Sequence, residues 1–285
     1  MKKSFVVISF IVVLFAACKK TDTTDSSVAL QTNFTNVAYG TDPAQVMDIY
    51  LPPNRSTTHT NVLIMIHGGS WSGGDKTDFI SYIDTIQYRF PTYAIFNINY
   101  RLATGIFNLF PTQENDVRSA VAFIYSKRAD YKISDNYAIL GASAGGHLAL
   151  LEAYKDTTPI RIKTVIDFYG PADMTAMYNN PTFPGGQIPI FNVVGTTPQL
   201  DSLLYAQSSP INFITPRVAP TIILHGGSDI VVRHEQSDSL AAHLDSANVI
   251  TRYVFYPTQN HGWTNNDTLK NSFNEIQTFV NAHMP

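Results

Sequence analysis

A single cysteine among 285 residues, Cys18, excludes a disulfide within the chain and leaves the body of the protein without a thiol nucleophile. Charge is sparse as well. With 14% Asp, Glu, Lys and Arg and a formal net charge of -3, the chain has neither the basic excess of a nucleic-acid binder nor the acidic block of a disordered tail. No internal repeat or low-complexity linker divides it, which predicts one domain. No two histidines stand at metal-ligand spacing on one helix, and no metal site is expected. Gly73-Gly74-Asp75-Lys76 lacks the Gly-x-x-x-x-Gly-Lys-Ser/Thr spacing of a phosphate cradle.

Long apolar runs are missing except at the start. Met1-Lys2-Lys3 is followed by Phe5 to Ala17, apolar apart from Ser9, too short to span a bilayer and suited to a secretory signal. Leu14-Phe15-Ala16-Ala17-Cys18 resembles a bacterial lipoprotein signal cleaved before the cysteine, with Phe15 where leucine is usual. A polar tether of residues 18–31 follows, rich in Lys, Thr, Asp and Ser. The expectation is removal of residues 1–17, lipidation of Cys18, and an exported protein held by a membrane anchor in a bacterial cell envelope.

What is present is a 44% hydrophobic composition, long enough to bury a core unaided. Apolar runs at Val46–Leu51, Val62–Ile66, Tyr93–Ile98, Tyr137–Leu140, Lys163–Phe168, Thr221–Leu224 and Thr251–Tyr256 read as strands. Between them, Phe79–Phe90, Thr112–Arg128, about His234–Ser246 and about Asp267–His283 read as helices. Val117, Ala120, Val121 and Ile124 form the stripe that the second of these would bury. Such alternation predicts an α/β domain over residues 32–285, with a mostly parallel central sheet flanked by helices. Residues 171–207, rich in Pro, Gly, Asn and aromatics, fit the alternation poorly and are expected to be a small cap insertion.

The sharpest motif is Gly141-Ala142-Ser143-Ala144-Gly145, between a strand and the helical run Gly146 to Leu151. Glycines remove the Cβ atoms that would clash in a sharp strand-to-helix turn, so the serine at its apex is presented to a base. In the order serine, acid, histidine, His261 in Asn260-His261-Gly262-Trp263 is the expected base and Asp229 in His225-Gly226-Gly227-Ser228-Asp229 the expected acid. Asp238 and Asp245 are the alternative acids, both inside the following helix; His234, His243 and His283 also sit on helical stretches. His67-Gly68-Gly69-Ser70-Trp71 ends a buried strand, where Gly68 and Gly69, with Ala144, would donate amides to an oxyanion. His67 is expected to organise that loop. Trp71 and Trp263, beside these loops, are candidate walls of a substrate pocket.

With these segments in place, the chain resembles the α/β-hydrolase esterases of the hormone-sensitive-lipase and acetyl-xylan/feruloyl esterase type. The resemblance rests on HGGSWSGGDK (67–76), NYRL (99–102), FPTQENDVRSAV (110–121), GASAGGHLAL (141–150), FYGPAD (168–173), SPINFI (209–214), HGGSD (225–229) and NHGW (260–263), in family order. It implies the hydrolase fold, cleavage of short acyl or feruloyl/acetyl esters, some of them polysaccharide-borne, and no cofactor. It assigns nucleophile, acid and base to Ser143, Asp229 and His261. Ser70 stands where many relatives have a third glycine; Arg101 and Asp116 match positions read as structural and able to pair. Two other classes remain: a peptidase of the prolyl-oligopeptidase type, which shares the elbow and the residue order, and a non-catalytic binding protein on the same fold.

Overall fold

The computed structural model describes residues 29–155 and 158–284. The expected signal segment, Cys18 and most of the expected tether lie outside the described residues. Eight strands form one sheet: β1 (Thr32–Ala38), β2 (Val46–Leu51), β3 (Val62–Ile66), β4 (Ala94–Ile98), β5 (Tyr137–Ala142), β6 (Ile162–Phe168), β7 (Thr221–Gly226) and β8 (Thr251–Tyr256). Their order is β1-β2-β4-β3-β5-β6-β7-β8. β2 runs antiparallel to both its neighbours, and every pairing from β4 to β8 is parallel.

In β3 and β4 every residue is buried. That is why β3 reads as an unbroken apolar run and β4 as one interrupted only by Asn97: a sheet covered on both faces offers no polar side. The helices are α1 (Ile80–Arg89), α2 (Thr112–Ser126), α3 (Arg128–Tyr131), α4 (Ala144–Lys155), α5 (Met174–Asn179), α6 (Ile188–Val194), α7 (Ser202–Gln207), α8 (Glu235–Ser246) and α9 (Asn266–His283). Two hydrophobic clusters result. Val117, Ala120, Val121 and Ile124 of α2 join Leu148 of α4 and Leu240 of α8 on one face, with Ile64 and Ile139 beneath them. Ile83 and Ile86 of α1 meet Phe273, Ile276 and Val280 of α9 on the other, over Met65 and Leu140. Residues 144–154 of α4 are buried on all sides, the pattern of a helix enclosed by its own domain.

Three features differ from the sequence expectation. β1 is an edge strand paired only with β2 and largely exposed, so it buries no face whose alternation could be read. The stretch expected as one helix to Arg128 breaks at Lys127, whose amide turns to the carbonyls of Phe123 and Ile124, and α3 begins anew. Between β6 and β7, the segment expected as a cap at 171–207 holds α5, α6 and α7, and a 3-10 turn at Pro210–Phe213 lies beyond it. Asp173 and Asp201 cap the first turns of α5 and α7 through their side chains, and Gly195 ends α6 at φ 81°. Propensity was weak over these short helices, and the capping signals carried the local structure.

Candidate active site

The strand-to-helix turn after β5 places Ser143 at φ 56°, in the left-handed region that a residue with a Cβ seldom occupies. The strain persists because the surroundings over-determine it. Ser143 N–H donates to Phe168 O at 2.8 Å, and Ser143 O accepts the first helical bond from His147 N at 3.0 Å. The flanking glycines permit the turn. A Cβ on Gly141 would lie 2.1 Å from Gly145 O, and one on Gly145 would lie 2.0 Å from Ile66 O at the end of β3. The turn is therefore seated against the neighbouring strand with no room for a methyl group.

Loops at the carboxyl ends of β7 and β8 bring the other two residues to Ser143. The Ser143 hydroxyl meets His261 Nε2 at 2.9 Å, and His261 Nδ1 donates to Asp229 Oδ2 at 2.7 Å. Asp229 is 7% exposed. Burial would raise its carboxyl, but hydrogen bonds from His225, His261 and the Val231 amide outweigh that and hold it well below the usual range. Its Oδ1 also accepts from Val231 N at 2.8 Å and Val232 N at 2.9 Å. An ionised acceptor in this position fixes His261 in the tautomer whose free Nε2 faces the serine.

Beside the serine, the loop after β3 passes through three successive positive φ values: Gly69 at 106°, Ser70 at 53° and Trp71 at 60°. Two of the three carry a Cβ, at a cost of order 1–2 kcal/mol each. A Cβ added to Gly68 would sit 3.3 Å from Ser143 Cβ, so this loop touches the serine. The amides of Gly68, Gly69 and Ala144 have no acceptor among the described residues. Unpaired N–H groups next to a hydroxyl, one of them at a helix N-terminus, are able to receive negative charge.

Trp71 is a correction to the sequence reading. It is 2% exposed and its indole donates to His147, so it packs in the interior and presents no wall to a substrate. Trp263 is also buried, donating to Ser272 Oγ at 3.0 Å, but one edge lines an apolar slot of about 60 Å³ with Ala142, Tyr169, Tyr82 and Leu269. His67 stacks on Tyr100 with ring centroids 4.4 Å apart, and its Nδ1 donates to Gly68 O at 2.7 Å. Burial pushes its pKa down, against the pull of that carbonyl.

Behind the loop, Lys76 of the GGDK stretch is buried and pairs with Asp48 on β2 at 2.9 Å. Arg101 grips Asp116, with Nη2–Oδ1 at 2.6 Å, while Gln45 Nε2 donates to the same carboxylate at 2.7 Å. Among the described residues no three His, Cys, Asp or Glu side chains cluster as metal ligands.

Three residues without a sequence assignment surround the site. His225 is fully buried; its Nε2–H lies 2.9 Å from Val232 O and 3.3 Å from Asp229 Oδ2, while Nδ1 accepts from Ser237 at 2.6 Å. Its position four residues before Asp229 was the available signal. Tyr169, at φ 44°, sets its ring 4.6 Å from that of His261. His147, four residues after Ser143, is 1% exposed, and burial lowers its pKa to about 4 despite the Ser208 carbonyl.

The family model described as BD-FAE matches residues 47–244, most of the chain. The chain is 26% identical over 243 residues to "Esterase LipC" of Mycobacterium tuberculosis (strain ATCC 25618 / H37Rv), covering 80% of this chain and 59% of that protein. It is 24% identical over 229 residues to "Dipeptidyl aminopeptidase BIII" of Pseudoxanthomonas mexicana, covering 75% of this chain and 32% of that one. The chain thus spans about a third to three fifths of these curated relatives. Among solved structures, a "truncated form of carbohydrate esterase from gut microbiota" superposes with a TM-score of 0.75 at 25% identity, covering 88% of this chain and 96% of that one. The architecture is that of the α/β-hydrolases.

Proposed function

We propose, from the premise that this chain belongs to the BD-FAE family, that it is a serine hydrolase cleaving carboxylic esters through an acyl-enzyme. The observation that carries the reading is the hydrogen-bonded run Ser143–His261–Asp229 lying against the unpaired amides of Gly68, Gly69 and Ala144. In this reading His261 Nε2 takes the hydroxyl proton as Ser143 Oγ attacks the ester carbonyl. The carbonyl oxygen gains negative charge beside the three amides. His261 returns the proton to the leaving alcohol, and Asp229 stabilises the transient imidazolium. Water, deprotonated by the same imidazole, then releases the acid.

The slot beside Ala142 and Trp263, about 60 Å³ and lined by apolar and aromatic side chains, suits a short acyl group or the edge of an aromatic one. Beside the Asp229 loop, a cleft of about 280 Å³ with mixed polar and apolar walls lies between α5 and the start of α8. Asp173, Asn180, Arg233 and Glu235 line it. It suits a hydroxyl-rich alcohol such as a sugar, in keeping with the carbohydrate esterase whose fold the chain shares. Asp173 to Gly186 of the insertion form one wall of that cleft, and in this reading residues 171–207 serve as the cap of the site. Export and lipidation at Cys18 would place the enzyme on a bacterial envelope, near such polymers.

A fluorophosphonate probe tests the chemistry: labelling of the wild type and none of Ser143→Ala is expected. Absence of labelling of folded wild-type protein would leave a binding protein. Acetyl, butyryl, octanoyl and feruloyl esters would rank the acyl group, with turnover falling toward octanoyl. The dipeptidyl aminopeptidase relative favours a second reading, peptide-bond cleavage. Faster turnover of dipeptidyl amides than of any ester would establish it instead.

A further inference from the structure

His147 is used by nothing in the chemistry above, yet both its ring nitrogens are engaged inside a sealed interior. Nδ1 accepts from Trp71 Nε1 at 3.1 Å, and Nε2 donates to Ser208 O at 2.7 Å. The partners determine the tautomer without ambiguity: an indole N–H can only donate, and a carbonyl can only accept. The Trp71 and His147 rings meet edge-on, with centroids 5.2 Å apart and planes at 85°.

The three segments joined here are the ones the site depends on. Trp71 ends the run of positive φ that begins at Gly69, in the loop that carries the Gly68 and Gly69 amides. His147 sits in the first turn of α4, its own amide bonded to Ser143 O. Ser208 is fully buried where the insertion returns to the domain, and the adjoining Ser209 hydroxyl receives the amide of Met174, at the start of α5.

A loop with two non-glycine residues in left-handed conformations will relax unless something outside it holds it. Ser70 makes no hydrogen bond that does so among the described residues. The Trp71 carbonyl accepts from Ala103 N at 2.8 Å, and the indole bond to His147 is the link that runs directly to the serine-bearing helix.

We propose that His147 is a positioning residue: through Trp71 it sets the distance between the oxyanion amides and Ser143, and through Ser208 it ties the insertion to the same post. This rests on the serine-hydrolase reading and adds a residue to it. The effect belongs in the tetrahedral state, because the amides meet full negative charge only there.

Two variants separate the two bonds. Asparagine places an oxygen where Nδ1 stands, and glutamine places an N–H where Nε2 stands. His147→Asn therefore keeps the Trp71 bond and loses the Ser208 bond, whereas His147→Gln does the reverse. Trp71→Phe removes the donor while keeping an aromatic ring in the core.

The measurements are kcat and KM on p-nitrophenyl acetate and the affinity for a trifluoromethyl ketone that adds to Ser143. Complete loss of one oxyanion donor costs about 100- to 1000-fold, so displaced donors should cost about 10- to 100-fold. Expected is that loss in kcat for His147→Gln and for Trp71→Phe, with KM within about 3-fold and ketone affinity falling in step with kcat/KM. His147→Asn should retain more activity than His147→Gln, and the double variant His147→Gln/Trp71→Phe should be little worse than either single one.

Equal losses in His147→Asn and His147→Gln, multiplying losses in the double variant, or unchanged kcat at a lowered Tm would each overturn the proposal. If wild-type protein neither labels nor turns over esters, the esterase reading has failed instead, a result distinguishable from all of these.

Discussion

Gly145→Ala is the most direct test of how the serine turn is held. The new Cβ would stand 2.0 Å from Ile66 O and 2.5 Å from His67 O, both backbone atoms at the end of β3. Non-bonded Cβ contacts below 3.0 Å do not occur, so the elbow and the β3 loop must separate by about 1 Å. No side chain can yield in their place. Over-packing of this kind costs about 1–3 kcal/mol. At roughly 2–4 °C per kcal/mol for a domain of this size, Tm should fall by about 2–12 °C.

The functional loss should be larger in proportion, because the displaced gap is the one between Ser143 and the Gly68 and Gly69 amides. Misplacement by 1 Å is worth about 100-fold in rate. Gly73→Ala is the control: its Cβ would find only Gly69 O at 3.6 Å, an ordinary contact. The assay is kcat/KM on p-nitrophenyl acetate at 25 °C, with Tm by circular dichroism. Gly145→Ala retaining more than half of wild-type kcat/KM at unchanged Tm would refute this account of the turn.

Three further outcomes are expected. Asp229→Asn should lower kcat about 10⁴-fold with the fold intact, because an amide N–H facing Nδ1 reverses the His261 tautomer; stopped-flow ester turnover and circular dichroism read the two effects. Arg101→Met should lower stability by about 2–3 kcal/mol in urea unfolding. Asp116 is fully buried and would keep only Gln45 and the Arg101 amide as partners. Asp167 is fully buried with Oδ1 bonded to Gly170 N and Oδ2 unpartnered, and burial raises its pKa to about 7 although His225 pulls it down. Since the folded value lies above the ordinary 3.8, its contribution is full below about pH 4 and is lost as pH rises to about 7. Asp167→Asn should remove that component, up to about 1.4 kcal/mol per pH unit, from the pH dependence of Tm.

The central strands were legible because a parallel sheet buried on both faces leaves a run of apolar residues that no other arrangement of this chain explains. β3 has the ends that its apolar run indicates. The α2 stripe was legible for the same reason, at a period of 3.6. β1 was not, since an exposed edge strand carries no buried face, and neither were α5 to α7, which are too short to show a period and are held by caps and contacts. Ser143, Asp229 and His261 could be singled out because serine, acid and histidine each follow a strand in a fixed order, and the structure gathers all three within hydrogen-bond reach.

Roles of single side chains depended on what lies across the fold. Trp71 and Trp263 look alike in sequence, each beside a loop with a glycine. Yet Trp71 is spent on His147, 76 positions away, while Trp263 keeps an edge on a slot. His147 gave no local signal because its partners, Trp71 and Ser208, come from other segments, whereas His225 offered only its spacing to Asp229. The amino-acid order by itself thus determined seven of the eight strands, the helices between most of them and the identity of the serine turn, through apolar period and glycine sterics acting over a few residues. Tertiary structure alone decided which histidines are buried, which tryptophan meets a pocket, and which amides are left unpaired, because hydrogen-bond partners and exposure are properties of segments brought together in space.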